Sequence, residues 1–384
     1  MKNTFGIGTI VSCVALALMA SHVAHAQTKT QYGPDKTTWN KMVDKAIKYL
    51  RSAQDETGGW STKRSPGVTG IVVTGLLRTG KVSVDDPMIT KALKYIESLV
   101  NEEKGHIAGN NRVNLHNYVT CINVMALVEA NQADKYKAVI GNAVSFLKQL
   151  QWDESESKTT KNDFYGGAGY DSKSRPDLSN TQFFLDALKE AGVPKDDPAL
   201  KKALVFVSRC QNLKSENNDQ PWAGIINDGS FIYSAATGGV TKVLKDEKGR
   251  PGYGSMTYAG VKSLIYCGVD KSDKRIKKAY NWIKKNYTVE KNPGFGEVNA
   301  GWGLYYYYHT MSKALAVMEI DIVVDAKGIK HDWRKDISDS LMKRQQSNGS
   351  WVNRGWGRWM ESDPNLVTGY SLMALSNCKP KLKK

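Results

Sequence analysis

The sequence predicts an all-α protein built from six helical hairpins, with one ring of helices held inside another. Three observations lead there. A Lys-rich amphipathic pattern recurs six times, and each copy runs into a turn rich in glycine and aromatic residues. A shorter, nearly uncharged helical pattern follows each turn. The clearest copies are Tyr49-Leu50…Gln54…Gly58-Gly59-Trp60 before Pro66-Gly67-Val68-Thr69-Gly70-Ile71, and Leu341…Gln345…Gly349-Ser350-Trp351 before Pro364-Asn365-Leu366-Val367-Thr368-Gly369. A helix pair that cannot bury its apolar face alone must stack on its neighbours, so the repeat sets the architecture.

The first helix of each pair carries an apolar stripe between Lys and Glu residues. Met42, Ala46, Tyr49, Leu50 and Ala53 show the spacing, as do Ala92, Tyr95, Ile96 and Leu99. Further copies are Ile140-Val144-Leu147, Leu200-Leu204-Val207, Ile276-Tyr280-Ile283 and Ile337-Leu341. Asp86-Pro87 and Asp197-Pro198 read as helix starts, because Asp caps free amides and Pro suits the first helical position. The second helices, over 69–78, 118–130, 181–191, 257–266, 304–317 and 368–376, are apolar or small on most faces, which places them inside. Gly75, Ala126, Ala187, Gly260, Ala314 and Ala374 allow close approach there. Gln54 with Trp60 and Gln345 with Trp351 read as structural clamps at the turns.

Residues 1–26 read as a secretory signal. Lys2 opens it, Ile7 to Ala20 is apolar, and Ala24-His25-Ala26 offers a small-x-small cleavage site before Gln27. The expected location is therefore secreted or periplasmic, with no stable membrane insertion, because the apolar run is short. Residues 27–38 form an N-terminal extension, 39–378 the helical domain and 379–384 a basic tail. Cys121, Cys210, Cys267 and Cys378 survive processing without a Cys-x-x-Cys pair, so free buried thiols are expected rather than a zinc site or a disulfide framework. The net charge of +16 is spread over the amphipathic helices. It suits a soluble exterior or an anionic polysaccharide. Export and the lack of a base-reading motif argue against nucleic acid.

The Gln-x3-Gly-x-Trp units, six hairpins and Gly-rich turns resemble the repeat of the prenyltransferase and squalene/terpenoid cyclase superfamily. The resemblance spans nearly all of residues 39–378 and implies an (α/α)6 toroid. It implies less about chemistry. Squalene-type cyclases use an Asp-x-Asp-Asp acid, and no such tetrad occurs. Prenyltransferase β-subunits hold zinc with Asp, Cys and His. Tyr308-His309-Thr310 looks like their His segment, but Gly252-Tyr253-Gly254-Ser255-Met256 stands where Asp-x-Cys would be. Neither a metal nor another cofactor is expected.

In such a ring the inner helices point their N-termini at one mouth, where six sets of unpaired amides favour an anionic group. Ser179, Asn180 and Thr368 are the side chains expected to compete for those amides. Residues at the starts of the inner helices should line the mouth: His116, Tyr118, Tyr253, Trp302, Tyr306, Tyr307, Trp356 and Trp359 as binding residues, joined by Tyr165, Tyr170 and Phe231 from two long connections. Asp177, Asp228, His309 and Asp363 are the acid/base candidates. The connection from Leu213 to Gly252 is expected to form a flap over the mouth, with Asp228 and Phe231 pointing inward. Three readings follow. The first is a small apolar or amphiphilic ligand, such as an isoprenoid with an anionic group, bound or transformed in an aromatic cavity. The others are an enzyme acting on an anionic polysaccharide, and a non-catalytic interaction scaffold.

Overall fold

The computed structural model describes Met1 and residues 31–110, 115–243 and 249–382. The signal segment up to Ala26 therefore lies outside the described residues, apart from Met1. In chain order the elements are β1 (Gln31–Tyr32), α1 (Lys36–Ala53), α2 (Gly67–Thr79), α3 (Pro87–Glu97), α4 (His116–Glu129), α5 (Ala133–Gln149) and α6 (Leu178–Glu190). They continue with α7 (Pro198–Arg209), the single turn α8 (Ala223–Ile226), α9 (Gly254–Tyr266), α10 (Lys274–Lys285) and α11 (Leu304–Val317). The chain ends with β2 (Val323–Val324), β3 (Lys330–His331), α12 (Trp333–Arg344), α13 (Pro364–Asn377) and β4 (Lys381–Leu382).

This is an (α/α)6 toroid. The inner ring runs α2–α4–α6–α9–α11–α13 and closes, because each helix packs on the next and α13 packs on α2. At the closure the backbone of Gly369 comes close enough that a Cβ on Gly75 would lie 2.9 Å from the Gly369 carbonyl oxygen. The outer ring is α1, α3, α5, α7, α10 and α12. Burial explains the division: α4 and α13 are buried on nearly every face, whereas α1 buries only Trp39, Met42, Val43, Ala46 and Leu50. Five outer helices start on an Asp whose carboxylate accepts from the first-turn amides: Asp35, Asp86, Asp197, Asp273 and Asp332.

The Gln and Trp residues at the turns tie neighbouring hairpins together. Trp60 Nε1 donates to the Leu50 carbonyl and Trp351 Nε1 to the Leu341 carbonyl, both at 2.8 Å. The amide of Gln54 donates to Gly58 O in its own turn and to Met88 O at the start of the next outer helix, both at 2.8 Å. Gln151 and Gln211 make the same pair of bonds, to Ala199 O at 2.9 Å and Arg275 O at 2.8 Å in the following helix. Gln345 reaches forward to Met42 O at 2.9 Å, which joins the last hairpin to the first. β1 and β4 pair antiparallel, Gln31 with Leu382, beside this seam.

Two expectations change here. Thr368 does not cap α13: its hydroxyl accepts from Trp351 N at 3.1 Å, as Thr69 accepts from Trp60 N and Thr257 from Phe231 N. The connection from Leu213 to Gly252 is not one flap. Its middle, Asp228-Gly229-Ser230-Phe231, is the fourth hairpin's copy of the clamp turn, so Asp228 is exposed and Phe231 is buried against Gly260. Asp228 accepts from Ser230 N at 2.9 Å, just as Asn348 accepts from Ser350 N at 3.1 Å.

Candidate functional site

The first turns of all six inner helices enclose one cavity of about 270 Å³. Its wall comprises Val68 and Ile71 of α2, Tyr118 and Ile122 of α4, Ser179 of α6, Ser255 and Met256 of α9, Tyr306 of α11, and Leu366 and Tyr370 of α13. Connections add Tyr170, Tyr233, Tyr253, Trp359, Met360 and Glu361. Aromatic faces therefore dominate, with aliphatic side chains between them. The Tyr118 and Tyr370 hydroxyls meet at 2.8 Å, and the Tyr306 hydroxyl bonds Ser179 at 3.0 Å and receives the Gln182 amide at 3.1 Å. These four hydroxyls are thus engaged with one another and with Gln182.

Side chains already occupy the first-turn amides of four of the six inner helices, whereas α2 and α4 have no side-chain cap. Asp177 caps α6, accepting from Asn180 N at 2.9 Å, and Asp363 caps α13, accepting from Asn365 N at 2.9 Å. Asn292 Oδ1 accepts from Ser255 N in α9 at 3.0 Å. Glu361 Oε1 accepts from Tyr305 N at 3.0 Å and Tyr306 N at 2.9 Å at the start of α11. An anionic ligand therefore does not find six free helix ends. Ser179 bonds Tyr306 instead of capping, and the Asn180 side-chain amide donates to Asp177.

Glu361 is the carboxyl on the cavity wall. It is 1% exposed, and its Oε2 accepts from Asn353 Nδ2 at 2.6 Å. Burial raises its pKa from the ordinary 4.5 to about 7, against the opposing pull of the backbone amides and Asn353. Just ahead of it, Trp359 and Met360 both sit in the left-handed region, with φ of 56° and 64°. Two successive residues other than glycine in that region mark stored strain, and here the strained turn sets both side chains on the cavity wall.

Of the residues expected at the site, Tyr118, Tyr170, Tyr253, Tyr306 and Trp359 meet around the cavity. The others lie elsewhere. Tyr307 turns outward, its hydroxyl donating to Thr288 O at 2.7 Å, and Trp302 stands behind Trp359 with ring centroids 6.1 Å apart. His116 stacks on His106 at 4.7 Å, and Tyr165 donates to Glu154 at 2.8 Å beside the outer helix α7. Trp356 is exposed and lines a separate polar groove with Tyr305, Lys343, Arg344 and Arg354. His309 lies under the floor, stacked between Phe183 and Tyr370 with neither ring nitrogen hydrogen-bonded; burial holds it neutral, well below the usual histidine range. Asp177 is buried beneath Tyr233, and Asp363 bonds Ser61 and Arg64.

Sequence reasoning does not find Glu361, Tyr233 or Tyr370. Glu361 lies three positions before α13, yet its carboxyl serves the start of the neighbouring α11. Tyr370 lies one turn deeper than the helix starts used to select the wall. Beyond the cavity the axis is closed by charges near the inner helices' C-terminal ends. Arg78 pairs with Glu129 at 2.8 Å and with Glu190 at 2.5 Å, and Lys313 reaches Glu190 at 3.3 Å.

Solved structures share this fold at low sequence identity. The chain aligns with the apo type II terpene cyclase MstE from Scytonema over 89% of its length and 97% of that chain, at 13% identity and TM-score 0.52. A variant of that cyclase in complex with geranylgeranyl dihydroxybenzoate aligns at 12% identity and TM-score 0.52, with the same coverage of 89% and 97%. A glycosidase variant in complex with glucose aligns over 90% of this chain and 99% of that one, at 12% identity and TM-score 0.52. No family model and no curated protein sequence matches the chain.

Proposed function

We propose that the chain is an exported toroid, processed near Gln27, that holds an apolar, isoprenoid-like guest in its central cavity. The wall carries this reading: six tyrosines, Trp359 and aliphatic side chains surround the space, against a single lining carboxyl, Glu361. Such a surface gains from covering hydrocarbon and offers π faces to any positive charge that develops along the guest. Glycoside hydrolysis usually needs two carboxyl groups flanking the sugar, and the lining residues supply one. The isoprenoid ligand of the cyclase neighbour lends support by analogy of fold alone. Glu361, protonated for much of the time near neutral pH, supplies the lining with a carboxyl that can carry a proton.

The test is a mass spectrum of an organic extract of the purified full chain, with a fluorescence titration using farnesol. A co-purified apolar molecule or saturable farnesol binding is expected, and Ile71→Trp, which fills the cavity, should abolish it while leaving the helical circular dichroism intact. A clean extract together with no saturable binding would overturn the reading.

A second reading is favoured by the outer groove, where Lys343, Arg344 and Arg354 stand beside the exposed Trp356. A ring flanked by cations suits an acidic glycan. Retention on a polygalacturonate column that is lost in Trp356→Ala would support it, and elution with the void volume would remove it.

A further inference from the structure

The exposed residues of α10 are Lys274, Lys277, Lys278, Asn281 and Lys285. They recur every three or four positions, which puts them on one face of the helix. From Lys274 to Lys285 the strip is about 16 Å long, at a rise of about 1.5 Å per residue. The opposite face is apolar, with Ile276, Ala279, Trp282 and Ile283 buried. No acid occurs within the helix. Among the described residues none of the four exposed lysines forms an ion pair, whereas Arg275 pairs with the capping Asp273 at 2.8 Å.

The other outer helices interrupt or neutralise their cations. α1 sets Asp44 among Lys36, Lys41, Lys45 and Lys48, α3 ends on Glu97, and α5 has Asp134 in its first turn. α12 carries Asp336 and Asp339. α7 has no acid, but its Lys202 and Arg209 pair with Asp153 at 2.8 Å and Asp219 at 3.1 Å. The strip on α10 also has neighbours of its own kind. Ala326 N donates to Lys284 O at 3.0 Å, which brings the β2–β3 turn, with exposed Lys327, against the end of α10. Asp325 in that turn is committed to Lys327 N at 2.8 Å, Ile329 N at 2.9 Å and His331 at 3.1 Å.

Lys285 stands five positions before Glu290, which lines the outer groove that holds Trp356. Five residues span at most about 18 Å, so strip and groove are neighbours. A row of unpaired ammonium groups suits a linear polyanion, whose charges meet one cation after another. A lipid surface fits less well, because α10 exposes no apolar side chain to insert. The proposed export disfavours nucleic acid. We propose that the outer face of α10 is a docking strip for a linear acidic polysaccharide, whose carboxylates pair with Lys274, Lys277, Lys278 and Lys285 before the polymer enters the groove at Trp356. The inference rests on the second reading, the acidic glycan, and extends it from one sugar ring to a polymer.

The experiment follows fluorescence anisotropy of labelled polygalacturonate and of labelled trigalacturonate, which is short enough to sit in the groove alone. The full chain is compared with Lys274→Gln/Lys277→Gln/Lys278→Gln/Lys285→Gln and with Lys36→Gln/Lys41→Gln/Lys45→Gln/Lys48→Gln. Both variants lose the same charge, and Gln is about as good a helix former as Lys. The α10 variant should bind the polymer about tenfold more weakly and with a flatter salt dependence, since each exposed pair contributes modestly. It should bind trigalacturonate as the parent does, and the α1 variant should stay within about threefold of the parent on both probes. Equal losses in the two variants would reduce the effect to net charge and overturn the strip. Polymer binding that survives the α10 variant but not Trp356→Ala would overturn the strip and leave the groove standing. Tighter binding of duplex DNA or phosphatidylglycerol vesicles through the same four lysines would assign the strip to another polyanion and remove the glycan. No binding of polymer or trimer by the parent would sink both the strip and the second reading.

Discussion

Lys262 Nζ lies 2.5 Å from Asp186 Oδ2 on the toroid axis, in a place where the two side chains are 0% and 1% exposed. The ammonium also donates to the Gln182 side-chain carbonyl, and Gln182 donates in turn to the Tyr306 hydroxyl on the cavity wall. Burial pulls Lys262 down and pushes Asp186 up, and each opposes the shift of the other. Two ions so deep are tolerated only as a pair. Lys262→Met alone strands a carboxylate and should cost about 3–5 kcal/mol in urea unfolding. Adding Asp186→Leu should recover most of that loss. A double variant as unstable as the single one would show that the pair is not an independent unit.

The outer ring is closed by one side chain at its seam. Gln345 donates to Met42 O and to Gly349 O, both at 2.9 Å, so its loss leaves two carbonyls without their partner. Gln345→Leu should therefore destabilise the chain by about 2–3 kcal/mol, measured by chemical denaturation. The adjacent Gln346 side chain makes one bond, to Arg344 O at 3.2 Å within its own turn. Gln346→Leu should stay within about 0.5 kcal/mol of the parent. Equal losses at the two positions would deny Gln345 its role as the closing clamp.

The double ring was legible because it follows from a repeat. Lys-rich outer helices, uncharged inner ones and the Gln and Trp of the turns all report local rules applied six times over. The wall was half legible. A helix start points at the mouth, which finds Tyr118, Tyr253 and Tyr306, but rotation about the axis then decides the facing. Within Tyr305-Tyr306-Tyr307-Tyr308 only Tyr306 lines the cavity, while Tyr307 and Tyr308 bond Thr288 O and Val289 O. Asp228 misleads because an acid in a long connection resembles a flap residue, whereas its Gly-Ser successors mark the repeat's turn. Glu361 depends on a contact between different hairpins, which spacing along one hairpin cannot carry.

The thiols offer a check on the packing. Cys121, Cys210 and Cys378 are buried, and all four described cysteines are free. Burial raises each thiol, Cys267 to about 12, so little thiolate exists at neutral pH and reagents have little access. The folded processed chain should react with Ellman's reagent over hours, and the same chain in guanidinium should release four equivalents at once. Fewer than four in denaturant without reductant would reveal a disulfide and contradict the arrangement.

Glu361 makes stability depend on pH in a direction opposite to that of an ordinary capping acid. Its folded pKa of about 7 stands above the unfolded 4.5, so the folded chain binds the extra proton between those values. Stability from this group is fully present below about 4.5 and is lost as pH rises through about 7. The loss is on the order of 3 kcal/mol, because every tenfold gain in proton affinity on folding is worth about 1.4 kcal/mol. Glu361→Gln keeps an oxygen for Tyr305 N and Tyr306 N and has no proton to lose. The difference in unfolding free energy between parent and variant should therefore shift in favour of the variant from pH 4.5 to pH 7.5. A difference that stays flat, or that grows in favour of the parent, would mean that the amides at the start of α11 hold this carboxyl ionised throughout.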